Sequence, residues 1–132
     1  MGKIALPDPQ TSPLERATAK AIEPEQLAVV QPAAEVMVAS MRTARGLELD
    51  LADARQALAR ATFDAEVDPE IAKGLPALAA AVLAAQQAYE DAALDTRLAQ
   101  RDCAHLADAI GAQYGVADPR NRVDLSTGSL RR

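Results

Sequence analysis

Between Pro76 and Tyr114 apolar and small residues recur at alternating spacings of three and four, and this rhythm restricts the fold more than any other feature of the chain. Leu75, Val82, Tyr89, Thr96, Cys103 and Ile110 lie seven apart. Ile71, Leu78, Ala85, Ala92, Ala99, Leu106 and Gln113 make a second series, and the two interleave as the a and d rows of a seam about six heptads long. The flanking e and g positions, charged in a simple two-stranded coil, include Ala72, Ala79, Ala81, Ala88, Ala93, Ala107 and Ala109. The apolar stripe is therefore wide. Lined with alanine, it lets neighbouring backbones approach near the low end of the usual ~8–10 Å interaxial range and offers contact to more than one helix. Residues 76–114 read as the spine of a helical bundle.

A matching partner precedes it. Met37, Ala44, Leu51, Leu58 and Ala65 fall seven apart, and Ser40, Leu47, Ala54 and Ala61 follow the first four by three residues, which gives a second seam. At 1.5 Å per residue, helices over 33–65 and 76–114 would be about 50 and 58 Å long, well matched as an antiparallel hairpin. Gly46 interrupts the first of them at a cost of about 1 kcal/mol relative to alanine, and it reads as a candidate close crossing.

The remaining segments are punctuated by proline. Residues 1–11 carry Pro7 and Pro9 without periodicity and read as an extended arm. Ser12 at the N-cap, Pro13 at N1 and Glu15 as the capping-box partner start a short helix over 13–22. Pro24 and Pro32 bracket a further helical piece over 24–31, with Pro32 either breaking or kinking the chain. Asp68-Pro69-Glu70 repeats the cap-then-proline signal, so a short helical turn is expected before the spine, with Pro76 as a break or a kink. Gly115 offers a stop, which closes a single helical domain over 12–115. Residues 116–132, with Pro119, Gly128 and four arginines against Asp118 and Asp124, read as an extended basic tail of charge +2, which leaves −7 on the rest.

Composition narrows the function classes. Apolar residues make up 49% of the 132, but with one Phe, two Tyr and no Trp, the large side chains that anchor small-ligand pockets are scarce. A formal charge of −5 opposes nonspecific duplex binding, which needs clustered Lys and Arg, so no nucleic acid is expected. One cysteine makes no internal disulfide and suits a reducing compartment. The opening residues lack the apolar core of a signal peptide, and position six is Leu rather than the Ser or Thr of a myristoylation signal. The longest apolar run, Ala77 to Ala85, is far short of the roughly 20 residues that a bilayer helix needs.

No chemical constellation emerges. Cys103 and His105, two apart on a helix, point about 200° from each other, Cys103 into the seam and His105 onto the outer face with Arg101, Asp102 and Asp108. Asp91, Asp95 and Asp102 form a solvated stripe with no implied pocket to raise a carboxyl pKa. The glycines form no phosphate-binding loop. No catalytic residue, cofactor or metal is expected. Tyr114-Gly-Val-Ala-Asp118 has the form Tyr-x-x-x-Asp just past a helical hairpin, and it is similar to the export signal of the Trp-x-Gly class of type VII secretion substrates. The resemblance covers five residues, and the Trp-x-Gly turn itself is absent.

The expectation is therefore an all-α protein: a long, alanine-rich, coiled-coil-like antiparallel hairpin with short N-terminal helices and extended N- and C-terminal arms. Val38, Leu49, Leu83, Leu94 and Leu98 lie off the main seam and leave surface for other helices or other copies. The expected role is a non-enzymatic structural subunit of a large homo-oligomeric assembly, such as a bacteriophage virion component, in a virion or the cytoplasm. Its contacts are expected through Leu83, Leu94 and Leu98 and through Arg120, Arg122, Arg131 and Arg132 of the tail. The alternative from another class is a small helical module that binds a different protein, such as a phage-encoded inhibitor, a type VII-like secretion substrate or its chaperone.

Overall fold

The computed structural model describes residues 4–132. Its elements are α1 (Pro13–Thr18), α2 (Pro24–Ala65), α3 (Pro69–Ala72), α4 (Leu75–Tyr114) and α5 (Pro119–Arg122). The fold is all-α, and α2 and α4 pack against each other as the helical hairpin. The chain divides into two compact units: a core unit of Met1–Ala39 with Arg97–Arg132, and a hairpin unit of Ser40–Thr96.

The hairpin unit follows the heptad grammar closely. From Ser40 to Ala61 the seam positions Ser40, Ala44, Leu47, Leu51, Ala54, Leu58 and Ala61 are buried or half-buried, and every residue between them is exposed. Only Leu51 and Ala92 are buried here among the described residues, since two helices alone cover only part of each other's seam. Thr96 Oγ1 donates to the Ser40 carbonyl at 3.0 Å, one of the few polar ties across the two helices. At the chain reversal the Asp68 side chain accepts the Glu70 N–H at 3.0 Å and Pro69 starts α3, which is the short turn expected from the sequence.

The core unit holds the large apolar cluster: Ile22, Val30, Ala34, Cys103, Leu106, Ala107, Ile110 and Tyr114 meet Val116, Val123, Leu125 and Leu130. The last four belong to residues 116–132, so the extended-tail reading is corrected. The tail folds back on its own unit through α5, through isolated antiparallel bridges Ala21↔Ser129 and Val123↔Leu130, and through a tight turn between them. In that turn Asp124 accepts Ser126 N–H at 2.9 Å, and Gly128 takes φ +78°, a conformation open chiefly to glycine. Apolar side chains without helical period escape a search for heptads, yet they bury as well as periodic ones.

Residues 4–11 of the N-terminal arm have no regular secondary structure but are tied to the core unit; residues 1–3 of the expected arm lie outside the described residues. The Glu23 carboxylate accepts the N–H groups of Gln10 and Thr11 at 2.9 Å, and Leu6 packs on the apolar cluster. Two boundaries and one expected close crossing also differ from expectation. First, α1 stops at Thr18 rather than residue 22: Ala19 already has extended backbone, and the chain beyond it places Ile22 in the core, its N–H donating to the Gly128 carbonyl at 2.9 Å. Second, 24–31 and 33–65 are one helix. Pro32 sits inside α2 on its exposed side, so water can satisfy the Ala28 carbonyl that loses its partner, while Val30 and Ala34 stay buried on the other side. Third, Gly46 faces open space, and the close approach occurs at Gly111, where an added Cβ would lie 2.5 Å from Pro119 Cβ.

Candidate protein-interaction surfaces

The buried polar side chain of the core unit is Gln26, fully enclosed. Its Nε2 donates to Gln113 Oε1 at 2.8 Å and to the Pro7 carbonyl at 3.1 Å, while its Oε1 accepts the Tyr114 hydroxyl. The same hydroxyl accepts Glu23 N–H at 3.1 Å. Burial pushes the Tyr114 phenol above its ordinary pKa, with the nearby Glu23 charge adding to the rise. Every member of this network is satisfied, which makes it a clamp that locks the arm and the last turn of α4 to the start of α2. Tyr114 is 1% exposed, so the Tyr-x-x-x-Asp stretch does not present its tyrosine; Asp118 instead holds the turn into α5 at φ 49°.

Cys103 is buried, and its thiol lies 3.5 Å from the Ala33 carbonyl. Burial first, then the charge of Asp102, raises its pKa, which makes it a poor nucleophile. His105 is exposed on the outer face. Among the described residues no three His, Cys, Asp or Glu side chains gather as a metal site.

The expected contact residues fall into two groups. Leu83, Leu94 and Leu98 remain exposed, at 69%, 49% and 41%. Leu83 and Leu94 are eleven residues apart, about 20° around the helix, so within the hairpin unit they share one face of α4. Met41, Leu49 and Phe63 are exposed as well and fall within about 80° on α2 of the same unit. The four arginines behave differently from one another. Arg120 meets Asp108 at 2.9 Å, a hydrogen bond that holds the Asp108 carboxyl below its usual range. Arg132 donates to the backbone carbonyls of Ala19 and Arg16. These two are engaged within the core unit, which corrects the expectation that all four await a neighbour. Arg122 and Arg131 are exposed, and neither makes a salt bridge among the described residues.

Arg122 and Arg131 line a groove of the core unit with a volume of about 420 Å³, whose apolar lining includes Met37, Val38 and Ala104. Nothing in the sequence pattern pointed to this groove, because one of its walls is the non-periodic tail. No helix among the described residues is long and apolar enough to cross a membrane. Comparison with known families, with curated proteins and with solved structures finds no match.

Proposed function

We propose that the protein is a non-enzymatic assembly subunit whose hairpin unit associates with further helices, in the first instance those of other copies. One observation carries this reading. The hairpin unit spends its seam on pairing α2 with α4, yet it still exposes large apolar side chains on both helices: Met41, Leu49 and Phe63 on one, Leu83 and Leu94 on the other. Isolated exposed leucines are ordinary; faces of them on a unit with two buried residues are a reason to expect cover.

A virion or the cytoplasm remains the proposed setting, supported by the single buried cysteine rather than by the arms, which are held by their own unit. Light scattering and native mass measurement on the purified protein test the reading. The expected result is self-association that Leu83→Glu with Leu94→Glu weakens while helicity and melting stay intact. A strict monomer at high concentration with no co-purifying protein would overturn it, and a one-to-one complex with a different protein would make it a binding module instead.

A further inference from the structure

The hairpin unit and the core unit differ in charge. Residues 40–96 carry ten Asp and Glu against five Lys and Arg, a net of −5 equal to that of the whole chain, so the core unit balances to zero. The acidic excess reaches the chain reversal, where Asp64, Glu66, Asp68 and Glu70 stand against Lys73 alone. Between those carboxylates project Phe63 and Val67, 72% and 85% exposed, two of the three most exposed large apolar residues among those described. The reversal is rigid rather than frayed: Asp68 N–H donates to the Asp64 carbonyl at 3.0 Å, Val67 N–H to the same carbonyl at 3.1 Å, and Gly74 N–H to Ile71 at 3.0 Å. It presents an apolar knob set among negative charges.

The core-unit groove has the opposite character. Its lining is apolar at Met37, Val38 and Ala104, and Arg122 and Arg131 stand at it without a salt-bridge partner among the described residues. The Asp124 carboxylate in the lining is occupied by Ser126 and Thr127. One turn of helix, 10–12 Å across with a 5.4 Å pitch, fills roughly 420–610 Å³. The groove, about 420 Å³, thus has room of the order of one helical turn.

We propose that the reversal around Phe63 and Val67 of one copy seats in the Arg122 and Arg131 groove of a second copy. This rests on the assembly reading above and gives it an interface. Phe63 and Val67 enter the apolar groove, and Glu66 and its neighbouring carboxylates face the two arginines. Because two different patches meet, the contact is heterologous and can propagate from copy to copy. The patches are small, so the association is weak and salt-sensitive, with the charges setting register and on-rate more than affinity.

The test uses full-length protein in sedimentation and native mass measurements. A knob variant, Phe63→Ser with Val67→Ser, and a groove variant, Arg122→Glu with Arg131→Glu, alter only exposed side chains, and circular dichroism melts confirm that each folds. Arg122→Gln with Arg131→Gln replaces the groove variant if the reversal of charge disturbs the tail. Each variant alone should self-associate at least ~tenfold more weakly than the parent. Mixed in a background that also carries Leu83→Glu and Leu94→Glu, they should form a one-to-one pair that grows no further, since the groove of the first and the knob of the second are both intact, and added salt should dissociate it. Parent-like association of both variants, or a mixture that stays monomeric, would overturn this contact while leaving the assembly reading standing. A parent that is monomeric but brings down a different protein overturns both the contact and the self-assembly reading in favour of a binding module, and a monomer with no partner overturns both outright.

Discussion

Replacing Leu130 by alanine separates a tail that belongs to the core from an arm that waits for a neighbour. Leu130 is 7% exposed, belongs to the main apolar cluster, and its N–H donates to the Lys20 carbonyl at 2.8 Å. Burying a leucine contributes about 1.5–3 kcal/mol, and truncation to alanine in a core costs about 2–5 kcal/mol once the cavity is included. Leu130 is two residues from the end of the described chain, where neighbours can relax, so the lower part of that range applies: about 2–3 kcal/mol. Against a total stability of ~5–15 kcal/mol that is a large share. For a chain of this size the melting temperature should fall by roughly 6–15 °C. Leu83→Ala is the control: at 69% exposure it should change stability by no more than about 0.5 kcal/mol. Thermal and urea unfolding of the purified protein, followed by circular dichroism, measures both. If Leu130→Ala melts with the parent, the tail does not pack in the isolated protein, and the core as described is wrong.

Gly111→Ala should destabilise by about 1–3 kcal/mol, since its Cβ would meet Pro119 Cβ and Cγ at 2.5 and 2.8 Å, whereas Gly46→Ala, in open space, should gain about 1 kcal/mol of helix stability; urea midpoints compare them directly. Tyr114→Phe removes the donor to Gln26 Oε1 inside the core and should cost about 1–3 kcal/mol in the same assay. Because the folded-state pKa of Tyr114 is raised, its contribution to stability is present below the unfolded phenol value of about 10 and is lost as pH rises through the folded value; tyrosinate absorbance in a Tyr89→Phe background should therefore show a midpoint above 10. The Asp124 carboxyl is held below its ordinary value, first by the Ser126 hydroxyl, so its contribution is present above the unfolded value of about 4 and lost on acidification; its NMR titration should move up in Ser126→Ala.

The seam was legible because an α-helix repeats every 3.6 residues whatever its sequence, so a buried stripe must write itself as threes and fours. The pattern from Ser40 to Ala61, covered at every seam position and exposed between, follows from that alone. Cys103 in the core and His105 outside follow by the same geometry. The tail had no such repeat. Val116, Val123, Leu125 and Leu130 are spaced by seven, two and five, and none of them lies in a helix. A signal was nevertheless present, in Asp124-Leu-Ser-Thr-Gly128, an Asx-type turn with glycine at the left-handed position, flanked by apolar residues. Read as a turn rather than as polar filler, it brings Val123 and Leu130 together.

The same turn decides which arginines remain for a partner, and net charge cannot. Counting gave four arginines in the tail; local geometry removes two. Asp108 lies twelve positions before Arg120 in sequence but within hydrogen-bond reach once α5 folds against α4, and Arg132 finds the carbonyls left open where α1 ends early. Arg122 and Arg131, nine apart, become neighbours because Arg131 N–H donates to the Arg122 carbonyl at 2.8 Å beside the Val123↔Leu130 bridge. Neither guanidinium has a salt bridge among the described residues, so an approaching carboxylate adds its attraction to both. A knob variant that keeps Phe63 and Val67 but carries Glu66→Lys should then lose association too, which would separate the electrostatic share of the contact from the apolar one.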